Sequence, residues 1–385
     1  GVDAAAGTVD NSAVDRAFAE AEVVISQRMM NHRLAPTAME PRGCVAHYEP
    51  GKDFLTLWSS TQNPHILKWF IALMTGLGEH QVRTIAPEVG GGFGCKINIY
   101  GEEYAAAAIS KMLGKPLKWV EDRSEAFMAT IHGRDIIGYL DLAARRDGKV
   151  LGMKLRLIAD IGAYNMILTA AIPTLTMLML NGTYDIPAIR AELTEVFTNK
   201  TPTDAYRGAG RPEATFVVER LMEVAARELG KNPAEFRRQN FVQSFPHATP
   251  VIMTYDSGDY GACLDKALEL ADVAGLAARK AESARKGFRR GLGYSAYIEA
   301  CGIAPSQAVG SLGAGVGLWE SAEVRVNPTG SVEILTGSHS HGQGHETTFA
   351  QLVSDRLGID INNVSIVHGD TDKVQFGMGT YGSRS

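Results

Sequence analysis

The chain has 385 residues, a formal net charge of −5 and a hydrophobic content of 45%, which is ordinary for a globular protein with two or three domains. The acidic balance and the lack of basic runs exclude a typical nucleic-acid surface. The four cysteines lie far apart with no C-x-x-C pair, which excludes the usual zinc, iron–sulfur and disulfide frameworks and favours a cytoplasmic protein. The longest apolar stretch, residues 166–180, is too short and too interrupted to span a membrane.

Apolar periodicity and turn residues predict alternating strands and helices along the first two thirds of the chain. Strands are predicted at residues 22–31, 44–48, 54–59, 82–89, 117–121, 134–144, 150–159 and 189–198. Helices are predicted at residues 13–21, 66–77, 102–113 and 214–229. The Arg146-Asp147-Gly148 turn joins the strands at 134–144 and 150–159 into a predicted hairpin.

The sequence becomes polar and rich in turn residues between positions 245 and 258, and this change predicts a domain boundary there. The predicted domains are residues 1–248 and residues 249–385. The elements predicted in the second domain are a helix at 262–286, a strand at 291–301, a Gly/Ala/Ser-rich loop at 302–317, a hairpin at 321–326 and 331–337, a helix at 346–357 and a strand at 364–367.

Four glycines at positions 90, 91, 92 and 94 interrupt the chain between a predicted strand and a predicted helix, with Phe93 as the one bulky side chain among them. A glycine loop at a helix start aims backbone N–H groups at a bound anion. The alternative is a tight turn in which the glycines only allow close packing. The loop matches neither common nucleotide fingerprint, because Cys95 stands where a dinucleotide fold needs glycine and Ile97 where a P-loop needs Ser or Thr.

Two further glycine-rich junctions precede predicted helices, at residues 203–213 and 338–345. Helix starts attract negative charge, so three such junctions in one chain favour a large ligand with a diphosphate. Within the first of these junctions, Arg207 and Arg211 are one helical turn apart. They can clamp an anion, or they can pair with Glu213 or Asp204.

Polar side chains near the other junctions leave two interpretations open. Gln62 lies at a strand-to-helix junction, where it either neighbours a helix cap or presents its amide to a ligand. His339, His341 and His345 lie close together, which is one feature of a metal site. Because no carboxylate or cysteine stands at ligand spacing, we predict no metal ligand among the side chains of this chain.

Five motifs occur in a familiar order: TQNPH from Thr61, APEVGGGFGCK from Ala86, AYRGAGRPEA from Ala205, GQGHETTFAQ from Gly342, and GTYGSRS from Gly379. With them, essentially the whole chain resembles the molybdenum-binding large subunit of the xanthine dehydrogenase/aldehyde oxidase family of molybdenum hydroxylases. The carbon monoxide dehydrogenase-like bacterial branch is the most similar. The resemblance implies an α+β fold with mixed sheets and packed helices, incomplete at both ends.

The resemblance implies a molybdenum atom held by a pterin dithiolene, in the form of molybdopterin cytosine dinucleotide. Gln62, Phe93 and Arg207 are the implied catalytic residues. Gln62 would contact an oxo ligand or the pterin, Phe93 would line the substrate pocket, and Arg207 would lie beside it. The implied cofactor contacts are Gly91, Gly92, Phe93, Gly94, Ala205, Tyr206, Arg207, Gly208, Gly342, Gln343, Gly344, His345, Thr380, Tyr381, Gly382, Ser383 and Arg384.

The family hydroxylates a carbon centre with oxygen from water and passes electrons through two [2Fe–2S] clusters to FAD. This chain has neither a cluster cysteine set nor a flavin fingerprint, so the resemblance implies separate Fe–S and FAD subunits in a dimer of heterotrimers. Gly208 stands where the carbon monoxide enzymes carry a copper-bridging cysteine. Ile97 stands where purine oxidisers carry glutamate. We therefore expect an aldehyde or an aromatic N-heterocycle as substrate.

The catalytic glutamate of the family lies in a Val-Gly-Glu motif downstream of GTYGSRS, and the chain has no equivalent. The resemblance thus implies the middle portion of a large subunit, which we expect to be inactive by itself. Two other interpretations remain at this point. The chain is either an inert cofactor-binding or structural fragment, or an unrelated nucleotide-binding enzyme whose glycine loops are similar by accident.

Overall fold

The computed structural model describes residues 2–3, 8–302 and 318–385, with side chains from residue 10 onward. The chain divides into two compact units, each assembled from separate stretches of sequence. The first unit comprises Gly1–Leu34, Arg134–Thr203 and Gly208–Glu299. The second unit comprises Ala35–Gly133, Asp204–Arg207 and Ala300–Ser385.

The described residues form short strands and mostly short helices. The strands are β1 Val2–Asp3, β2 Thr8–Val9, β3 Val23–Asn31, β4 Gly43–Glu49, β5 Phe54–Ser59, β6 Val82–Ile85, β7 Leu117–Val120, β8 Ile136–Ala144, β9 Val150–Gly162, β10 Ile189–Phe197, β11 His247–Ala248, β12 Thr254–Tyr255, β13 Ala322–Val326, β14 Val332–Thr336 and β15 Val364–Val367. The helices are α1 Ser12–Ala19, α2 Pro64–Thr75, α3 Gly101–Leu113, α4 Arg123–Ala129, α5 Ala171–Leu178, α6 Arg211–Glu228, α7 Pro233–Asn240, α8 Tyr260–Leu270, α9 Leu276–Arg285 and α10 His345–Leu357. Among the described residues, no helix has the length and hydropathy to cross a bilayer.

A four-stranded sheet in the order β10-β9-β8-β3 forms the centre of the first unit. Strands β3, β8 and β9 are antiparallel neighbours, whereas β10 runs parallel to β9. Alternate residues of β8 and β9, such as Leu140, Leu142 and Leu155, are buried. Helix α6 contacts β3 and β8 and buries Val217, Val218 and Leu221. Buried and more exposed residues alternate along these strands, so one face of this sheet lies in the core.

A second four-stranded sheet, in the order β6-β5-β4-β7, belongs to the second unit. Strands β5 and β6 are parallel and are connected through α2, as a crossover connection requires. Helices α2 and α3 contact this sheet. The core between them contains Ala46, Leu55, Leu57, Leu67, Ile71 and Val82. This packing fixes the loop that follows β5.

A three-stranded sheet, β13-β14-β15, completes the second unit, with α10 packed beside β15. After β15, the chain continues beside β6. Ala86 N donates to Gly369 O at 2.7 Å, and Thr371 N donates to Thr84 O at 3.1 Å. Arg83 forms an ion pair with Asp370 at 2.6 Å. These contacts bring the end of the chain beside the loop that follows β5.

Most predicted elements are present, and three predictions need correction. The strand predicted at 82–89 ends at Ile85, where its pairing with β5 stops. The helix predicted at 262–286 is two helices, α8 and α9, separated by a turn in which Asp272 has φ 44°. The strand predicted at 291–301 is wrong. Those residues carry no strand, and Tyr294 packs its ring over Arg237 instead. The predicted hairpin of β13 and β14 is confirmed. Except for Gly302, the predicted loop at 302–317 lies outside the described residues.

Candidate functional site

Gln62 connects three segments of the second unit. It follows β5 and is 2% exposed. Its Oε1 accepts hydrogen bonds from Gly94 N at 2.9 Å and Lys96 N at 3.4 Å, and its Nε2 donates to Thr380 O at 2.9 Å. Asn63 is the residue at the N-cap of α2, and its side chain makes no capping bond. Gln62 therefore organises the loops around it with its side-chain amide.

The glycine turn at residues 90–94 is tightly packed. A Cβ on Gly94 would lie 1.9 Å from Ala205 O, and one on Gly92 would lie 2.6 Å from the Gln62 amide. Helix α3 begins only at Gly101, where the Glu103 carboxylate accepts a hydrogen bond from Tyr100 N at 3.1 Å. The helix begins close to its predicted start at residue 102 and not directly at the glycines, and the anion-binding role of the loop stays a prediction. At Gly92 and Gly94, the absence of a side chain is required for close packing.

Phe93 lies at the tip of this turn with φ 54°, and its side chain is 40% exposed. Its carbonyl accepts a hydrogen bond from Arg207 N at 2.9 Å. The Arg207 guanidinium lies 5.8 Å from the centre of the Phe93 ring. Two of the predicted site motifs thus meet at an exposed aromatic ring beside a cation.

Gly208 and Arg211 belong to the first unit. Gly208 has φ 96°, and a Cβ there would lie 2.3 Å from Pro212 Cγ. Arg211, the first residue of α6, forms an ion pair with Glu299 at 2.8 Å. Glu213 pairs with Arg134 at 2.9 Å. The sequence contained no signal for either of these long-range partners.

His339 joins the segment before α10 to the other loops. Its Nε2 lies 2.9 Å from Thr61 O, and its backbone N donates to Thr380 Oγ1 at 3.0 Å. Thr380 Oγ1 in turn donates to His339 O at 2.7 Å. The residues TQNPH, GQGHETTFAQ and GTYGSRS are therefore brought together through a buried histidine that the motif analysis did not place in the site.

The segment before α10 differs from the turn at 90–94, because its glycines border open space. Gly342 has φ 110° and Gly344 has φ 77°, and a Cβ on either would meet no atom within 4 Å. Gly344 is the N-cap of α10, so the first N–H groups of that helix begin beside it. Gln343 Oε1 accepts a hydrogen bond from His341 N at 2.7 Å. This is the predicted glycine-lined helix start of the second unit.

Three imidazoles around this helix start are kept neutral. Burial, and after it the nearby His341 ring, lower the pKa of His339 to about 3. Burial, His345 and Lys96 lower the pKa of His341 to about 4, and burial also lowers the pKa of His345. In the described part of the chain, the Nδ1 atoms of all three are buried without a hydrogen-bond partner.

Within the described ranges, no group of three or more His, Cys, Asp or Glu residues is arranged to hold a metal ion. Neutral imidazole has one donor and one acceptor nitrogen, which suits the mixed polar edges of a heterocycle.

The predicted cofactor contacts at residues 380–384 have different neighbours in the structure. Of the residues 380–384, Thr380 contacts Gln62, whereas Arg384 lies against Glu320 at 3.6 Å and over the Tyr381 ring at 5.0 Å. Ser383 has φ 53°, and its carbonyl accepts a hydrogen bond from Gly302 N at 3.0 Å. The Gly382 backbone has φ 64°. Tyr381 and Arg384 therefore form a small cluster with Glu320.

Comparison with known proteins identifies the family. Residues 3–241 and 266–385 match two family profiles, each described as a molybdopterin cofactor-binding domain. The chain belongs to the molybdopterin-binding large subunits of the xanthine dehydrogenase family, in the carbon monoxide dehydrogenase-like branch. This confirms the resemblance stated from the five motifs, and it removes the interpretation as an unrelated nucleotide-binding enzyme.

Three relatives show how far the similarity extends. The chain is 39% identical to the carbon monoxide dehydrogenase large chain of Hydrogenophaga pseudoflava, over 98% of this chain and 48% of the relative. It is 37% identical to the nicotine 6-hydroxylase large subunit of Paenarthrobacter nicotinovorans, over 97% of this chain and 46% of the relative. The crystal structure of quinoline 2-oxidoreductase from Pseudomonas putida 86 matches with a TM-score of 0.90 and 35% identity. The match covers 96% of this chain and 48% of the quinoline 2-oxidoreductase chain.

These matches confirm the predicted mixed-sheet fold of a molybdopterin-binding large subunit. The chain spans about half the length of the curated relatives that it matches.

Proposed function

We propose that this chain is the cofactor-binding part of a molybdenum hydroxylase that oxidises an aromatic N-heterocycle or an aldehyde with oxygen from water. The observation that carries the proposal is the glycine-lined start of α10, where Gly342 and Gly344 border open space and three imidazoles of the same segment have buried Nδ1 atoms without a partner among the described residues. Gln62 and Thr380 connect this segment to the turn that carries Phe93.

The residues of the second unit fit molybdopterin, in the proposed form of the cytosine dinucleotide. A pterin and a diphosphate need hydrogen-bonding groups and backbone N–H donors, and the metal needs no side-chain ligand when the pterin dithiolene supplies its sulfur atoms. Gly342, Gln343, Gly344 and His345 provide the backbone and the helix start. The other proposed contacts in the second unit are Gly91, Gly92, Phe93, Gly94, Ala205, Tyr206, Arg207, Thr380, Tyr381, Gly382, Ser383 and Arg384. Gly208, which belongs to the first unit, is also a proposed contact.

The bound cofactor would supply the oxidation of the substrate carbon by water-derived oxygen. Gln62 would orient the cofactor and hold the glycine turn in place. An amide nitrogen has two hydrogens, one of which is donated to Thr380 O. Phe93 would contact the substrate through its exposed ring, and Arg207 would place a positive charge at the rim of the same pocket. Water exclusion by the aromatic ring would strengthen these electrostatic effects.

An aromatic N-heterocycle is the favoured substrate class, with an aldehyde as the second. Two of the relatives are named for nicotine and quinoline, both of which contain such rings. Position 208 has no thiol, and a side chain there would collide with Pro212. This argues against the copper chemistry that carbon monoxide oxidation uses in the carbon monoxide enzymes.

The partners that we propose are an Fe–S subunit and an FAD subunit, in a cytoplasmic dimer of heterotrimers. Support comes from the relatives, which are large subunits or large chains by name. The remainder of the large subunit would supply the glutamate base. We also retain the proposed domain division at residue 248, which falls between the two matched profiles. By itself, the 385-residue chain would bind cofactor or serve as a scaffold without turnover.

The test is made on the full-length protein with its partner subunits, purified from the native host. We expect about one molybdenum per large subunit by mass spectrometry, together with pterin fluorescence after oxidation. Dye-linked assays with quinoline, nicotine, benzaldehyde and carbon monoxide should show turnover with a heterocycle or the aldehyde, and none with carbon monoxide. A fully assembled protein without molybdenum and pterin would overturn the proposal. Turnover by the 385-residue chain alone would overturn the assignment of the base to the remainder of the subunit.

A further inference from the structure

Lys96 is a buried cation beneath the glycine turn. The residue is 2% exposed, and its Nζ lies 2.8 Å from Glu40 Oε2. A buried ammonium group is unfavourable unless a carboxylate lies close to it, and removal of one partner leaves the other charge uncompensated. Glu40 is partly exposed, so the pair lies at the edge of the core of the second unit.

Glu40 also holds the first residue of the same turn. Its Oε2 accepts a hydrogen bond from Gly90 N at 2.7 Å, and its backbone N donates to Gly90 O at 3.1 Å. One carboxylate oxygen thus contacts residue 90 through the backbone and residue 96 through the side chain. The Glu40 carboxylate thus binds both ends of the turn, and Phe93 lies midway between those ends in the sequence.

The other side of the turn is held by Gln62. The backbone N of Gln62 donates to Lys96 O at 2.8 Å, and Gln62 Oε1 accepts from Gly94 N at 2.9 Å. Phe93 has φ 54°, in the left-handed region that residues with a side chain rarely occupy. A residue in that conformation is maintained by its surroundings, so the closure of the turn decides where the Phe93 ring lies.

We propose that Lys96 and Glu40 are positioning residues that close the glycine turn and hold Phe93 at the edge of the site. The inference rests on the proposed function only in taking Phe93 as a substrate contact. Burial and the neighbouring His345 lower the pKa of His341, and the charge of Lys96 adds a smaller contribution in the same direction.

The experiment uses the full-length enzyme with its partner subunits and the variants Lys96→Met, Lys96→Arg and Glu40→Gln. Glu40→Gln keeps the size of the side chain and removes the charge. The control is Lys52→Met, which breaks the exposed pair of Lys52 with Glu49 at 2.7 Å. Amide hydrogen exchange of residues 90–96 is measured by mass spectrometry on the cofactor-free protein. Molybdenum content, kcat and KM are measured on the holoenzyme.

We expect Lys96→Met and Glu40→Gln to speed amide exchange at residues 90–96 by about 10- to 100-fold and to lower kcat/KM per molybdenum by a similar factor. Lys96→Arg should recover part of both effects, because it restores a cation beside Glu40. A double variant that combines Lys96→Met with Glu40→Gln should lose no more than the worse of the two single variants, since the pair acts as a unit. Lys52→Met should match the wild type.

Wild-type exchange and wild-type kinetics in Lys96→Met would overturn the inference. A loss of thermal stability and molybdenum content with unchanged kcat per molybdenum would also overturn it, because that result describes a purely structural residue. If the wild-type enzyme contains no molybdenum, the proposed function fails. The exchange rates of the cofactor-free variants then still decide whether the pair closes the turn.

Discussion

Gln62 and Thr380 are 318 positions apart in the sequence and are joined by two hydrogen bonds. Gln62 Nε2 donates to Thr380 O at 2.9 Å, and Thr380 N donates to Gln62 O at 3.2 Å. Thr380 also exchanges hydrogen bonds with His339 through its hydroxyl. The end of the chain is therefore attached to the centre of the candidate site.

Removal of the Gln62 amide should destabilise the second unit. In Gln62→Ala, Gly94 N and Thr380 O lose buried partners, and each unsatisfied group costs about 1–3 kcal/mol. We expect the free energy of unfolding to fall by about 2–4 kcal/mol in urea titrations. Gln27→Ala is the control, because that amide bonds an exposed carbonyl, and it should change stability little. Equal effects of the two substitutions would contradict the role of Gln62.

Alanine substitutions at Gly94 and Gly76 should separate the effect of close packing from that of backbone strain. Both have positive φ, 101° and 67°, but a Cβ on Gly94 would lie 1.9 Å from Ala205 O, whereas one on Gly76 would meet nothing within 4 Å. Gly76→Ala should cost about 1–2 kcal/mol through backbone strain alone. Gly94→Ala should cost clearly more and should expose the turn to proteolysis. If thermal unfolding shows the same loss for both, the contact with Ala205 is not the reason for glycine at position 94.

Acid should destabilise the protein through its buried histidines. The folded-state pKa is lowered to about 3 for His339 and to about 4 for His341, whereas the ordinary value is 6.5. Between pH 6.5 and these lowered values, the unfolded chain therefore binds more protons than the folded protein. The stabilisation is fully present above pH 6.5 and is lost as the pH falls toward about 4 for His341 and about 3 for His339, by up to about 1.4 kcal/mol per pH unit for each imidazole. The other titratable groups that act on these rings are His345, His368 and Lys96.

The measurement is the free energy of unfolding between pH 5 and pH 6.5 for the wild type and His339→Gln. The variant should have a shallower slope, since one neutral imidazole is gone. His80→Gln, at an exposed position, is the matched control and should keep the wild-type slope. A wild-type slope in His339→Gln would show that this ring does not contribute.

Gly208 should not accept a cysteine. A Cβ there would lie 2.3 Å from Pro212 Cγ at φ 96°, so both Gly208→Ala and Gly208→Cys should lower the unfolding temperature. Gly208→Cys in the complete enzyme, supplied with copper, should show no carbon monoxide oxidation above the Gly208→Ala variant. Carbon monoxide turnover in the cysteine variant alone would contradict this expectation.

Much of the local structure followed from the sequence. Strands β5 at Phe54–Ser59 and β15 at Val364–Val367 were predicted with the observed bounds, because alternating or continuous apolar residues end there at polar or glycine residues. Helices α3 and α10 were predicted within one residue at their starts, and both end before a left-handed glycine. The five motifs also sufficed to identify the family.

The roles of the glycines and the long-range partners depended on the tertiary structure. A glycine run looks the same in sequence whether it lines open space, as at Gly344, or meets another backbone, as at Gly94. Likewise, nothing local indicates that Glu40 pairs with Lys96, or that residues 291–301 remain without a strand partner. Sequence patterns determine local conformation and burial, because these depend on neighbouring residues. Which distant groups meet is decided only when the packed core brings their segments together.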